Sequence, residues 1–245
     1  MCTVSFIPLN NKGVILTSSR DEKIIRPTSP PIALNIAGNN VFFPKDLEKG
    51  GTWIASADNG RVCCLLNGAW EKHKRKLFYE KSRGILLLEV FEHKQTDDFI
   101  QLVKLENVEP FTLIIIENWE NSLKMIEFRW DGSKKYFNTK DISQPHIWSS
   151  ATLYDKKVRA QREQWFSAWL SEQKEYSRLD VLNFHTSKHG ENPAHDIVME
   201  RPGGLQTVSV TQVTFADESF EMHYHDLVKN HNSSFSIGIK SFIHE

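Results

Sequence analysis

Cys2 is the residue with the most chemistry open to it. Methionine aminopeptidase removes Met1 when the next residue is small, and cysteine qualifies. The product carries a thiol and a free α-amine on one residue. An α-amine titrates near about 7.7–8.0, so at neutral pH it can take the thiol proton directly or through water. One residue then supplies both nucleophile and base, which is the logic of an N-terminal nucleophile. In a tight hairpin around Asn11-Lys12, the pair Arg20-Asp21 lies across from residue 2. A guanidinium there favours thiolate over thiol, and a carboxylate beside it orients the amine. The competing reading of Arg20-Asp21 is an ordinary ion pair at a strand end. Asn67 ends an apolar segment and precedes Gly68. Its amide can donate to a developing oxyanion, or it can be a plain turn residue, since Asn-Gly is a common turn.

The elements that must position these residues are legible in outline. Thr3–Pro8 and Val14–Ser18 read as strands around the turn-forming Asn10-Asn11-Lys12-Gly13. Pro27, Pro30 and Pro31 mark a loop. Thr52–Ala57 and Arg61–Leu66 form a hairpin across Asp58-Asn59-Gly60, where Asn and Gly tolerate positive φ. Ser82–His93 and Thr96–Leu105 have helical character, the second with Asp97 and Asp98 favourable in its first turn. Phe111–Glu117 and Leu123–Trp130 read as another hairpin. Asp155–Glu175 is expected to be a long helix with Val158, Arg162, Trp165 and Trp169 near one stripe, and Leu179–Thr186 a second helix. Gln206–Phe215, Ser219–His225 and Phe235–Phe242 close the chain as strands. The order strands, helices, strands, helices, strands predicts a single α+β domain over residues 1–245, two sheets with helices packed outside.

Composition narrows the function. The chain has 245 residues, 40% hydrophobic and 25% charged, the profile of a soluble globular protein. Thirty Lys and Arg against 31 Asp and Glu give a net charge of −1, which supplies no general attraction for nucleic acid or an anionic membrane. No run reaches 18 apolar residues, so no membrane span is expected. The start of the chain has neither the basic nor the apolar region of a secretory signal. The three cysteines, Cys2, Cys63 and Cys64, are an odd set with two adjacent, not a disulfide framework. A reduced, cytoplasmic setting follows.

Taken in order, Met1-Cys2-Thr3, Ser19-Arg20-Asp21-Glu22, Arg26-Pro27, Gly50-Gly51-Thr52-Trp53 and Leu66-Asn67 make the chain resemble the NRDE family, also called the transport-and-Golgi-organisation type-2 family. The resemblance is strongest over residues 1–70 and continues more loosely towards the C-terminus. It implies an N-terminal nucleophile hydrolase fold, a four-layer αββα sandwich. It also implies distant kinship to the cysteine amidases that cleave penicillin V, bile-salt conjugates and ceramide-like amides. In those enzymes an N-terminal Cys attacks the amide, an Arg and an Asp sit beside it, and an Asn helps stabilise the oxyanion. Cys2, Arg20, Asp21 and Asn67 are the matching positions. Three departures accompany the match. Ser19 stands for the signature Asn, Ser150 for an Asn that would face substrate, and Gln206 for an Arg. The implied function is an amidohydrolase acting on a linear C–N amide, or a thioester, of a small acyl substrate, with no cofactor and no metal. The alternative is a non-catalytic carrier or trafficking protein for haem or a lipid or acyl ligand on the same fold. The oligomeric state is left open.

The remaining features have plainer readings. Cys63 and Cys64 sit on opposite faces of a strand and cannot share a metal. His223 and His225 share a strand face, most simply a solvated one. His185, His189 and His195 fall in a loop-rich stretch without a metal motif. The basic run Lys72–Lys76 either draws an anionic group towards the site or is a solvated loop. Trp148, Trp165 and Trp169 read as core aromatics.

Overall fold

Strand alternation and two pairs of helices with apolar faces build the layers. The computed structural model describes residues 3–10, 13–119, 122–216 and 219–239. The first sheet contains β1 (Thr3–Pro8), β2 (Val14–Lys23), β10 (His146–Ser149), β11 (Glu200–Arg201), β12 (Leu205–Ala216), β13 (Ser219–Asp226) and β14 (His231–Gly238). Its order is β10-β1-β2-β12-β13-β14, with β11 against β12. The second sheet is a meander of β3 (Thr28–Ile36), β4 (Asn39–Asp46), β5 (Ile54–Ala57), β6 (Arg61–Asn67), β7 (Phe111–Trp119), β8 (Ser122–Trp130) and β9 (Lys135–Lys140). All strand pairs of both sheets are antiparallel.

The inner faces meet in a shared core. Val4, Phe6 and Leu16 of the first sheet pack with Ile54, Cys64 and Ile114 of the second. On the outer face of the second sheet lie α1 (Arg83–Glu89), a 3-10 turn over Val90–Glu92 and α2 (Thr96–Leu102). Their Leu86, Leu87, Phe91 and Phe99 cover Cys63, Leu65 and Leu113. On the outer face of the first sheet lie α3 (Lys156–Glu172) and α4 (Arg178–Thr186), where Phe166, Val181 and Phe184 cover Ile7 and Ile15. The result is the αββα sandwich. Among the described residues no helix is long and apolar enough to cross a membrane.

Local signals explain the helix ends. Ser82 caps α1 by accepting from the Ile85 N–H, and Asp155 caps α3 by accepting from Val158. Ser177 and Asp180 form a reciprocal capping box at α4.

The structure corrects several expectations. Pro27 lies in the connection before β3, but Pro30 and Pro31 lie in β3 itself, at the edge of its sheet, with a register shift between Ser29 and Pro31. Proline removes a ladder donor, and an edge or a bulge is where a strand tolerates that loss. β2 runs five residues past Ser18, which carries Arg20 and Asp21 within the strand. The buried side of α3 is Val158, Arg162 and Phe166, while Trp165 and Trp169 are only partly buried against the neighbouring cluster. His185 lies in α4 and is fully buried, not in a loop. β14 begins at His231, earlier than Phe235; residues 240–245 lie outside the described residues.

Candidate active site

The site is built on the ends of β1 and β2. Thr3 pairs with Ser19 on β2 and with Ser149 on β10, so β1 is flanked on both sides at its first residue. Cys2, the residue before Thr3, lies outside the described residues. Thr3 is fully buried and accepts a hydrogen bond of 2.5 Å from Arg162 Nη1. Arg162 also donates to the carbonyls of His195 (3.0 Å) and Asp196, and its guanidinium carbon lies 3.6 Å above the Tyr154 ring.

Arg20 and Asp21 diverge from one another, as neighbours on a strand must. Arg20 is 3% exposed, donates from Nη2 to Asp46 at 2.8 Å, and lies over Trp53 at 4.7 Å. Asp21 accepts from Tyr154 at 2.7 Å and from Thr207 at 2.6 Å. Opposite this pair β12 bulges: Thr207 faces Asp21 and Ser209 faces Arg20, leaving Val208 as the extra residue. A bulge re-aims the side chains around it and is common beside active sites. Nothing in the alternation of β12 announces it.

Asp46 ties two cations together. Besides Arg20 it meets Arg26 at 2.9 Å, and it accepts from the Lys49 N–H at 3.0 Å. Burial alone would raise its pKa. The Lys49 N–H and the charges of Arg26 and Arg20 outweigh burial and hold the carboxyl below its ordinary value.

Asn67 ends β6, on the other sheet. Its carbonyl accepts from Ser150 Oγ at 2.9 Å and from the Thr152 N–H at 3.3 Å. Ser150 is fully buried, so its hydroxyl fixes the Asn67 backbone. Gly68 has φ +84°, and a Cβ there would sit 2.8 Å from Thr152 Oγ1; no larger residue fits.

Between these elements opens a cavity of about 540 Å³, lined among others by Arg20, Asp46, Trp53, Asn67, Arg83 and Glu109. It brings Arg20 of one sheet together with Asn67 of the other. Asp21 and Ser150 do not line it. Arg75 and Lys76 of the basic run do, which favours the anion-drawing reading of that run over a merely solvated loop.

Ser19, where the signature has Asn, serves a different network. Its hydroxyl lies 2.8 Å from His185 Nδ1, and Ser5 Oγ lies 2.7 Å from Nε2. Burial first, then the nearby charges of His189 and Arg162, push the His185 pKa down to about 3. The ring is therefore neutral and spans β1 and β2. Cys63 and Cys64 pack into the outer and inner cores respectively, as their alternation predicted. Burial raises both thiols, Cys64 to about 12, so neither is a nucleophile at neutral pH. His223 meets Glu221 at 3.1 Å and His225 meets Asn232 at 2.9 Å. Among the described residues no three His, Cys, Asp or Glu gather as a metal site.

This architecture is that of the N-terminal nucleophile hydrolases. A variant of conjugated bile acid hydrolase from Clostridium perfringens superposes with a TM-score of 0.57 at 11% identity, covering 96% of this chain and 92% of that one. The Caenorhabditis elegans orthologue of N-acylethanolamine-hydrolyzing acid amidase gives 0.56 at 11% identity, covering 86% and 92%. A mutant of the same bile acid hydrolase gives 0.54 at 9% identity, covering 100% and 99%. At such identity the likeness is one of fold. The chain belongs to the Transport and Golgi organisation 2 family, whose model matches residues 1–224. No curated protein matches it.

Proposed function

We propose that this protein is a cysteine amidohydrolase of the N-terminal nucleophile type, acting on a linear C–N amide, or a thioester, of a small acyl substrate. The observation that carries the reading is the cavity shared by Arg20 and Asn67, beside the strand pair in which Thr3 faces Ser19. Cys2 directly precedes Thr3 in the chain. With Met1 removed, the α-amine takes the thiol proton and the thiolate attacks the carbonyl carbon. The oxyanion that forms is stabilised by the Asn67 amide. The C–N bond breaks, the amine leaves with the proton, and a thioester remains on Cys2. Water, deprotonated by the same α-amine, then releases the acid and restores the thiol. Arg20 favours the thiolate or grips the substrate oxygen, and Asp21 orients the amine, acting with Tyr154 and Thr207. The unpaired Cys63 and Cys64, buried on opposite faces of their strand, suit the reducing cytoplasm in which we place the protein.

A second reading is a non-catalytic carrier of haem or an acyl ligand in the same cavity. It is favoured by Ser150, whose hydroxyl is spent on the Asn67 carbonyl and supplies no second donor to an oxyanion. The test separates the two. The intact mass of untagged protein should show Met1 absent, and an amide and thioester panel should show turnover that Cys2→Ala abolishes. Retained Met1, or turnover unchanged in Cys2→Ala, ends the enzyme reading.

A further inference from the structure

Two buried donors in the cavity wall have nothing to donate to. Arg20 is 3% exposed and Trp53 2%, and both line the cavity. Arg20 gives Nη2 to Asp46 at 2.8 Å, while its Nη1 has no hydrogen-bond partner among the described residues. Trp53 Nε1 has none either. The Arg20 guanidinium carbon lies 4.7 Å from the centre of the Trp53 ring, so cation–π stacking keeps the two donors side by side. Buried polar groups almost always find a partner. A pair left over at one cavity points to an acceptor that the protein itself does not supply.

Both donors are held in place. Asp46 fixes Arg20 and is itself fixed by the N–H groups of Glu48 at 3.1 Å and Lys49 at 3.0 Å. Around Trp53 the backbone is pinned on both sides. The Thr52 N–H donates to the Gly84 carbonyl at 3.2 Å, and the Thr52 hydroxyl to the Pro44 carbonyl at 2.7 Å. The Trp53 carbonyl accepts from the Leu65 N–H at 2.8 Å. Leu65 lies on β6 two residues before Asn67, which lines the same cavity. Donors fixed before a reaction begins need no reorganisation when charge develops on an oxygen. The Ser150 hydroxyl, spent on the Asn67 carbonyl, leaves room for such a donor beside the Asn67 amide.

We infer that Trp53 is a further catalytic residue. Its Nε1–H, together with Arg20 Nη1, holds the carbonyl oxygen of the substrate and stabilises the charge which that oxygen gains when the Cys2 thiolate adds. The inference rests on the proposed hydrolase reading and extends it to a residue outside the Cys2, Arg20, Asp21 and Asn67 set.

The probe is p-nitrophenyl acetate. The Cys2 thiolate adds to its carbonyl carbon and an oxyanion forms. The oxyanion collapses, the C–O bond to p-nitrophenolate breaks, and an acetyl group remains on Sγ. The burst of p-nitrophenolate reports the step. Iodoacetamide is the control, because displacement of iodide at a saturated carbon forms no oxyanion. Two altered proteins lack the N–H. One is Trp53→Phe. The other carries at position 53 a benzothienyl isostere of tryptophan, with sulfur in place of the N–H, which keeps the volume.

In the isostere protein acylation should slow about tenfold or more. Alkylation by iodoacetamide should keep the wild-type rate, and the thermal midpoint should not fall. Trp53→Phe should slow acylation at least as much. Acylation of the isostere protein at the wild-type rate overturns the inference. Equal slowing of acylation and alkylation also overturns it, and makes Trp53 a packing residue. A wild-type burst that Cys2→Ala lacks and the isostere protein retains leaves the hydrolase reading standing and removes this inference alone. A wild type without a Cys2-dependent burst removes both.

Discussion

Arg162 holds Thr3. The guanidinium of a residue on α3 passes under the first sheet to donate to a hydroxyl 159 positions earlier, next to the proposed nucleophile. Both side chains are fully buried. Arg162→Met would leave the Thr3 hydroxyl and two carbonyls without their donor. Chemical denaturation should show a loss of about 3 kcal/mol. Since Arg162 positions rather than reacts, the variant should also slow iodoacetamide alkylation of Cys2 under conditions where the protein is fully folded. Alkylation at the wild-type rate would reduce Arg162 to a purely structural part.

The three thiols should separate cleanly. Burial raises Cys63 and Cys64, so in the native protein a thiol reagent should titrate Cys2 alone; in denaturant it should titrate all three. Cys2→Ser should bring the native count to zero. A rapid native phase surviving that substitution would place reactivity on a core thiol and contradict the burial seen here.

His185 sets an acid limit on stability. Its folded pKa is depressed to about 3, against about 6.5 in the unfolded chain. Between these values only the unfolded state binds the proton. The contribution is therefore complete above about pH 6.5 and is lost as pH falls towards 3. By pH 5 the loss should reach about 2 kcal/mol from this group. Urea midpoints measured at pH 7 and pH 5 should drop in the wild type and drop less in His185→Gln. Equal slopes would remove His185 as the cause.

Two glycines let backbones touch at the cavity wall. A Cβ on Gly84 would stand 2.7 Å from the Thr52 carbonyl oxygen, and one on Gly51 would stand 2.6 Å from the Ile85 nitrogen. Backbone cannot yield as a side chain tip does. Gly84→Ala should therefore cost about 2 kcal/mol and lower the thermal midpoint by about 4–8 °C. An unchanged midpoint would mean that α1 can shift away without penalty.

Much of this was readable from the chain, and the failures have physical causes. The pairing of β1 with β2 followed from turn residues and alternation, and the register sets Thr3 opposite Ser19; Cys2, expected across from Arg20-Asp21, lies outside the described residues. The opposite faces of Cys63 and Cys64 followed from the period of a strand. β3 was missed because proline argues against a central strand, and only the tertiary arrangement makes this one an edge. The bulge at Val208 was missed because it is a property of pairing between distant segments. Arg162 was placed on an apolar stripe without a partner, since its partners lie on β1 and in the segment before β11. Ser150 was assigned to substrate by resemblance; that its hydroxyl donates to the Asn67 carbonyl is a contact between distant segments that no local pattern shows.

The order of the first sheet sets how the molecule can be made. β1 is paired to β10, and β2 to β12, so its central strands join residues 3–23 to residues 146–149 and 205–215. A ribosome has therefore to deliver some 215 residues before that sheet can close. The second sheet, a meander of neighbours, can pair as it emerges. Such distant pairing makes for slow folding and leaves the first hairpin exposed meanwhile. The proposed catalytic end is thus the last part of the protein to come together. Any truncation from the C-terminal side that reaches β12 removes the support beneath Arg20 and Asp21.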